Sequence, residues 1–152
     1  MFDGTLTFRA YGAWRGVTAE EGDLASSFSN LRLAFSAPVA DGGQPGLTSA
    51  EELLLGAAIS GYAAALIDLC RQMVLDVAEL QIEGELTRTF DEIEGHRISS
   101  ILLKPEVVLR TGLGFEKVHD MFRRATALAR QRSPVLRALE PAIKIQVEPS
   151  YR

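Results

Sequence analysis

The chain has 152 residues, 47% hydrophobic and 24% charged, with 16 lysines and arginines against 20 acidic residues for a net charge of −4. That is one soluble globular domain's worth, long enough to bury a core without disulfide or metal staples. The acidic balance argues against nucleic acid as a partner, which would need a clustered positive face. The lone Cys70 excludes an intramolecular disulfide, and two histidines, His96 and His119, with one cysteine argue against a structural zinc site.

The first third reads as short strands. Leu6, Phe8 and Ala10 alternate with Thr5, Thr7, Arg9 and Tyr11, the period-2 pattern of a half-buried strand. Gly12 is expected to interrupt it, with Trp14 to Glu21 returning as the second arm of a hairpin. Leu31, Leu33 and Phe35 predict a third strand, and Pro38 to Gly46, dense in turn residues, a loop. Ser49-Ala50-Glu51-Glu52 is a capping box, and no proline follows before Leu75, which allows a helix of roughly 26 residues, about 39 Å. Almost every side of that helix is apolar or small, so it is expected to pack against both a sheet and another subunit.

Leu80, Ile82 and Leu86 then face one way and Gln81, Glu83, Glu85 and Thr87 the other, as one strand. Asp91 to Gly95 makes a turn, and Ile98 to Leu109 returns as a strand that Pro105 bends or places at an edge. A second helix is predicted from about Phe115 to Arg132, with Phe115, Val118, Phe122, Ala125 and Ala129 on one stripe. Ser133-Pro134 ends or kinks it. Ile143, Ile145 and Val147 form the last strand. The order is βββ-α-ββ-α-β, an α+β arrangement in a single domain over residues 1–152, with N-terminal strands over 1–36 and helices over 49–75 and 115–132.

No segment reads as an address or anchor. Met1 to Thr5 lacks the basic start of a signal peptide. The charge-free run Leu53 to Ile67 has only 15 residues, where about 20 are needed to span a bilayer. The expectation is a cytoplasmic protein without membrane contact, metal or cofactor.

With this order, the stretch Thr48-Ser49-Ala50-Glu51-Glu52-Leu53-Leu54-Leu55-Gly56-Ala57-Ala58-Ile59-Ser60-Gly61-Tyr62 resembles the OsmC/Ohr family, the osmotically induced and organic-hydroperoxide-resistance proteins. A second element, Ser133-Pro134-Val135-Leu136-Arg137-Ala138-Leu139, is similar to the family's Cys-Pro segment at the end of the later helix. The resemblance implies a long central helix on antiparallel sheet in an intertwined homodimer. It also implies thiol peroxidase chemistry: a cysteine on the long helix reduces an organic hydroperoxide, becomes a sulfenic acid and condenses with a second cysteine. An arginine of the N-terminal hairpin and a glutamate at the start of the long helix hold the thiolate.

The sequence departs from that pattern at both sulfurs: Gly61 stands at the first cysteine's position and Ser133 at the second's. Neither replaces a thiolate nucleophile. Cys70 lies nine residues past Gly61, about 900° of rotation, which puts it on the opposite side of the helix and about 13 Å along it. It reads as a small buried hydrophobe.

Glu51 matches the family glutamate, ten residues before Gly61; equally, it is an acid in a first helical turn favoured by the helix dipole. Arg15 is the candidate for the family arginine, with Arg9 as rival and a solvated hairpin arginine as the plain alternative. Gly61 either opens room for a ligand group or water, or allows close packing of neighbouring elements. Tyr62 is expected in the core with its hydroxyl near the pocket, and Ser133 serves as a wall residue or a helix-terminating Ser-Pro. His119 and His96 read as satisfied or solvated. Trp14 and Phe28 could pack across a dimer interface.

Three functional readings follow. The first is a divergent member without cysteine peroxidase activity, with family positions Arg15 and Glu51 and a small apolar or anionic ligand lined by Gly61, Tyr62 and Ser133 at the dimer pocket. The second is an active thiol-dependent hydroperoxide reductase, or another enzyme, using Cys70 or Glu51. The third is a purely structural dimer.

Overall fold

The computed structural model describes residues 4–14, 21–27, 29–110 and 114–151. Arg15 and Phe28 lie outside them. The chain forms two compact units, Met1–Leu53 and Leu54–Arg152.

In the first unit, β1 (Ala10–Trp14), β2 (Glu21–Ser26) and β3 (Arg32–Ser36) form an antiparallel sheet in that order. The strands start later than the alternation predicted. Leu6 and Phe8 are 55% and 70% exposed and have no buried face to select. Gly12 does not interrupt: it pairs with Leu24 inside β1, since a glycine there costs only backbone entropy. Trp14 ends β1 and β2 returns over Glu21–Ser26, while residues 15–20 of the predicted arm lie outside the described residues. Gly22 lets the sheet close up; a Cβ there would fall 2.6 Å from the Ala13 carbonyl and 2.7 Å from the Phe35 ring.

The predicted loop holds one 3-10 turn, Val39–Asp41. The capping box forms as read: the Glu52 amide donates to Ser49 Oγ (3.3 Å) and the Ser49 amide to Glu52 Oε2 (3.0 Å). With those donors satisfied, α1 runs over Ala50–Gln72.

The rest of α1 belongs to the second unit. There β4 (Val77–Asp91) and β5 (Gly95–Leu109) make a long antiparallel hairpin. Next come α2 (Phe115–Arg132), the short α3 (Pro134–Leu139), β6 (Lys144–Val147) and β7 (Ser150–Tyr151). The predicted fold class holds, and so does the element order apart from α3 and β7, which the sequence reading did not include. The larger sheet is mixed rather than purely antiparallel, because β6 and β7 run parallel to β5. The helical crossover through α2 and α3 returns the chain to the end where β5 began.

Pro105 is not at an edge, and the pairing with β4 shows no register shift there. It lies inside β5 opposite Ile82, and Leu103 takes the Glu148 amide on the β6 side. By alternation, the position of Pro105's missing N–H faces the same side, at the gap between the β6 and β7 pairings, so no ladder bond is lost there.

The core is Ala58, Tyr62, Leu66, Leu69 and Cys70 of α1, Ile101, Leu103 and Val107 of β5, and Val118, Phe122, Ala125 and Ala129 of α2. Val118, Phe122, Ala125 and Ala129 are on the predicted α2 stripe, and the Phe115 side chain lies outside what the structure describes. Leu80, Ile82 and Leu86 of β4 pack on this core from the predicted face. Gly84 on that face admits α1: a Cβ there would sit 2.9 Å from both Leu55 and Ile59.

The 23-residue α1 is longer than its charge-free run. With a mean hydropathy of 1.8 over 18 residues it is, by length and composition, able to cross a bilayer, although 28% of that window is buried within this chain.

It ends before the predicted Leu75 because Val74 takes a left-handed φ of 57°. The Leu75 amide bonds back to the Cys70 carbonyl and the Val74 amide to Arg71, a Schellman closure. A β-branched residue in that conformation costs about 1–2 kcal/mol. Val74 is 86% exposed and packs against little. Val74→Gly is therefore expected to raise stability by about 1 kcal/mol in urea titration; an unchanged or lower midpoint would contradict the strain.

Candidate functional site

The two positions at which the resemblance places cysteines face one another. Gly61 lies in the middle of α1. Ser133 ends α2, its amide donating to the Ala129 carbonyl at 2.9 Å, and caps α3, its Oγ accepting from the Leu136 amide at 3.3 Å. A Cβ built on Gly61 lies 3.2 Å from Ser133 Oγ and 3.1 Å from Val135 Cγ2. Ser133 is fully buried. A side chain at 61 would thus press on Val135 and the Ser133 hydroxyl, which would have to give by a few tenths of an ångström, and close packing is what Gly61 permits.

Tyr62 points elsewhere. Its ring is fully buried and its hydroxyl donates to the Thr126 carbonyl of α2 at 3.3 Å. Burial, with a smaller contribution from Cys70, holds that phenol protonated far above the usual tyrosine range. The backbone acceptor binds the hydroxyl, and Thr126 in turn donates its own hydroxyl to the Arg123 carbonyl at 2.8 Å.

Cys70 is 1% exposed in the core, and burial pushes its thiol up to about 11. Such a thiol is a poor nucleophile at neutral pH. The folded value lies above the unfolded one of about 8.5. The stabilising contribution of the neutral thiol is therefore complete below pH about 8.5 and lost as pH rises toward 11. Stability should fall across that window in wild type and fall less in Cys70→Ala; matching pH profiles would contradict the assignment.

Glu51 lies half-buried in the first turn of α1, in the first unit. The neighbouring Glu52, rather than Glu51, closes the capping box. Arg9 is exposed. His119 packs edge-on against Tyr151, ring centroids 4.0 Å apart, and His96 lies on Phe90 at 5.1 Å near the β4–β5 turn. Trp14 packs on Phe35 of its own sheet at 5.8 Å. Among the described residues no cluster of three or more His, Cys, Asp or Glu side chains is placed to hold a metal.

The structure therefore brings together Gly61 and Ser133, and adds Val135, which the sequence did not single out. Its only signal was a β-branched residue two after the Ser-Pro cap. The pair offers no thiol: one member has no side chain, and the other is a hydroxyl engaged as a helix cap.

The sequence model of the OsmC-like protein family matches residues 41–148. The chain belongs to the OsmC-like family. No curated protein sequence matches it. Among solved structures, this OsmC-like chain is similar to an organic hydroperoxide resistance protein OsmC from Legionella pneumophila, with 17% identity, 97% of this chain and 99% of that one covered, and a TM-score of 0.76. It is similar to an organic hydroperoxide resistance protein from Elizabethkingia anophelis, with thiocyanate bound, at 16% identity, 99% and 100% coverage and a TM-score of 0.77. An OsmC-like protein of unknown function from Vibrio cholerae matches at 12% identity, 95% and 99% coverage and a TM-score of 0.78. At these identities the likeness is one of fold, and it agrees with the α+β order read from the sequence.

Proposed function

We propose that this chain is a single-domain, cytoplasmic OsmC/Ohr-like protein that does not reduce organic hydroperoxides through cysteine. On this reading it acts instead as a homodimer that binds a small apolar or anionic molecule. The observation that carries the first part is the pair Gly61 and Ser133, so close that a Cβ at 61 would lie 3.2 Å from Ser133 Oγ, with no sulfur at either position. The remaining thiol, Cys70, is sealed in the core. An enzyme working through Cys70 would need that core to open on every turnover.

The dimer is supported by α1. Leu53, Leu54, Leu55, Ile59 and Ile67 stay partly exposed on a helix whose sequence is apolar on nearly every side. Partly uncovered apolar area on a long helix favours association. Arg15 and Glu51 would be the polar handles for an anionic ligand.

Exposure to excess cumene hydroperoxide, followed by intact-mass measurement, tests the chemistry. The expected product is unmodified protein, and a +16 Da species on Cys70 within minutes would overturn the reading. Light scattering at micromolar concentration should give the dimer mass; a monomer would remove the second part.

A further inference from the structure

Away from Gly61, the second unit carries a groove with chemistry of its own. The sequence as a whole shows no basic run, yet six cationic residues fall on α2 and α3 (Lys117, Arg123, Arg124, Arg130, Arg132 and Arg137) against three acidic ones up to Glu140, in a chain of net charge −4. Arg123 and Arg130 of that set line a cavity of about 500 Å³ beside β6, a size that suits a small molecule. Ala127, Val147 and Pro149 supply apolar wall.

The two arginines differ. Arg130 Nε is held by Glu140 Oε1 at 2.5 Å, which fixes its guanidinium and offsets its charge. The Arg123 guanidinium makes no hydrogen bond or ion pair among the described residues. Among the described residues it is therefore the groove's arginine without an ion-pair partner, a planar fork suited to two oxygens of one anion.

We propose that this groove binds a small oxyanion, carboxylate or phosphate monoester, attached to an apolar body. Arg123 takes the anion and the body lies against Ala127, Val147 and Pro149. Glu140 sets the affinity by holding Arg130 and by its own negative charge.

The test is an amide-resolved NMR titration of the full chain with phenyl phosphate, benzoate and the neutral benzyl alcohol. At least one of the two anions should give saturable shifts on α2 below about 10 mM; which one does so identifies the preferred oxyanion. Arg123→Gln should weaken binding about tenfold and Arg123→Lys less, because the charge stays while the fork is lost. Glu140→Gln should tighten it. Arg137→Gln, exposed on α3 outside the groove, should leave it unchanged. Arg123 is exposed, so the variant spectra report folding directly. Equal binding of benzyl alcohol, equal weakening by Arg137→Gln, or no saturable shift with either anion would overturn the proposal.

Discussion

Gly61→Cys combined with Ser133→Cys closes a disulfide when the protein is oxidised. The Cβ at 61 would stand 3.2 Å from the Oγ at 133, close to the separation of about 3 Å between a Cβ and the partner sulfur in a disulfide. Both positions lie on packed helical elements, so the backbone need not move to bring them together. The bridge would close a loop of more than seventy residues, for which restriction of the unfolded chain contributes up to about 4 kcal/mol.

Two costs reduce that gain. Val135 Cγ2, 3.1 Å from the new Cβ, has to yield by a few tenths of an ångström. The α3 cap weakens when the Ser133 hydroxyl is lost, by about 1 kcal/mol. The oxidised double variant should therefore exceed wild type in unfolding free energy by about 2–3 kcal/mol, with Cys70 the one thiol that titrates in denaturant. Free thiols at 61 and 133 after oxidation would show that the two positions do not meet in solution.

The second large effect is at Tyr62, and it separates a core role from a ligand-binding one. Tyr62→Ala deletes a fully buried ring between α1 and α2 and is expected to destabilise by about 3–5 kcal/mol, the range for aromatic deletions in cores. Tyr62→Phe keeps the ring and removes only the bond to the Thr126 carbonyl, for about 1 kcal/mol. A Tyr62→Ala protein as stable as wild type would mean that the ring is not packed as described.

Much of this fold was legible because local signals and burial agree in its helices and long hairpin. Ser49 and Glu52 satisfy each other's backbone amides. The spacing of Val118, Phe122, Ala125 and Ala129 matches the buried stripe of α2. The alternation of Leu80 and Ile82 with Gln81 and Glu83 gives the β4 face. The first N-terminal strand was placed too early because Leu6 and Phe8 alternate without burying a face, whereas the third was read where β3 lies. Pro105 misled because the jog from β6 to β7 that accommodates it lies some forty residues further along the chain. Val74 was unreadable as a helix end, since its residue type disfavours the conformation that it adopts.

At the candidate site, the positions of Gly61 and Ser133 were legible through resemblance alone. Their contact depends on how α1 and α3 pack, which no local pattern records. Val135 was missed for the same reason: filling the space beside a glycine is a property of the packed pair.

The central claim is that replacing both sulfurs at this contact has removed the family's peroxide chemistry from this chain. The most direct measurement is steady-state consumption of cumene hydroperoxide with a dithiol reductant, by wild type and by Cys70→Ala. The account predicts no turnover above background in either protein. Turnover in wild type that disappears in Cys70→Ala would contradict it, by showing that the buried thiol reaches peroxide.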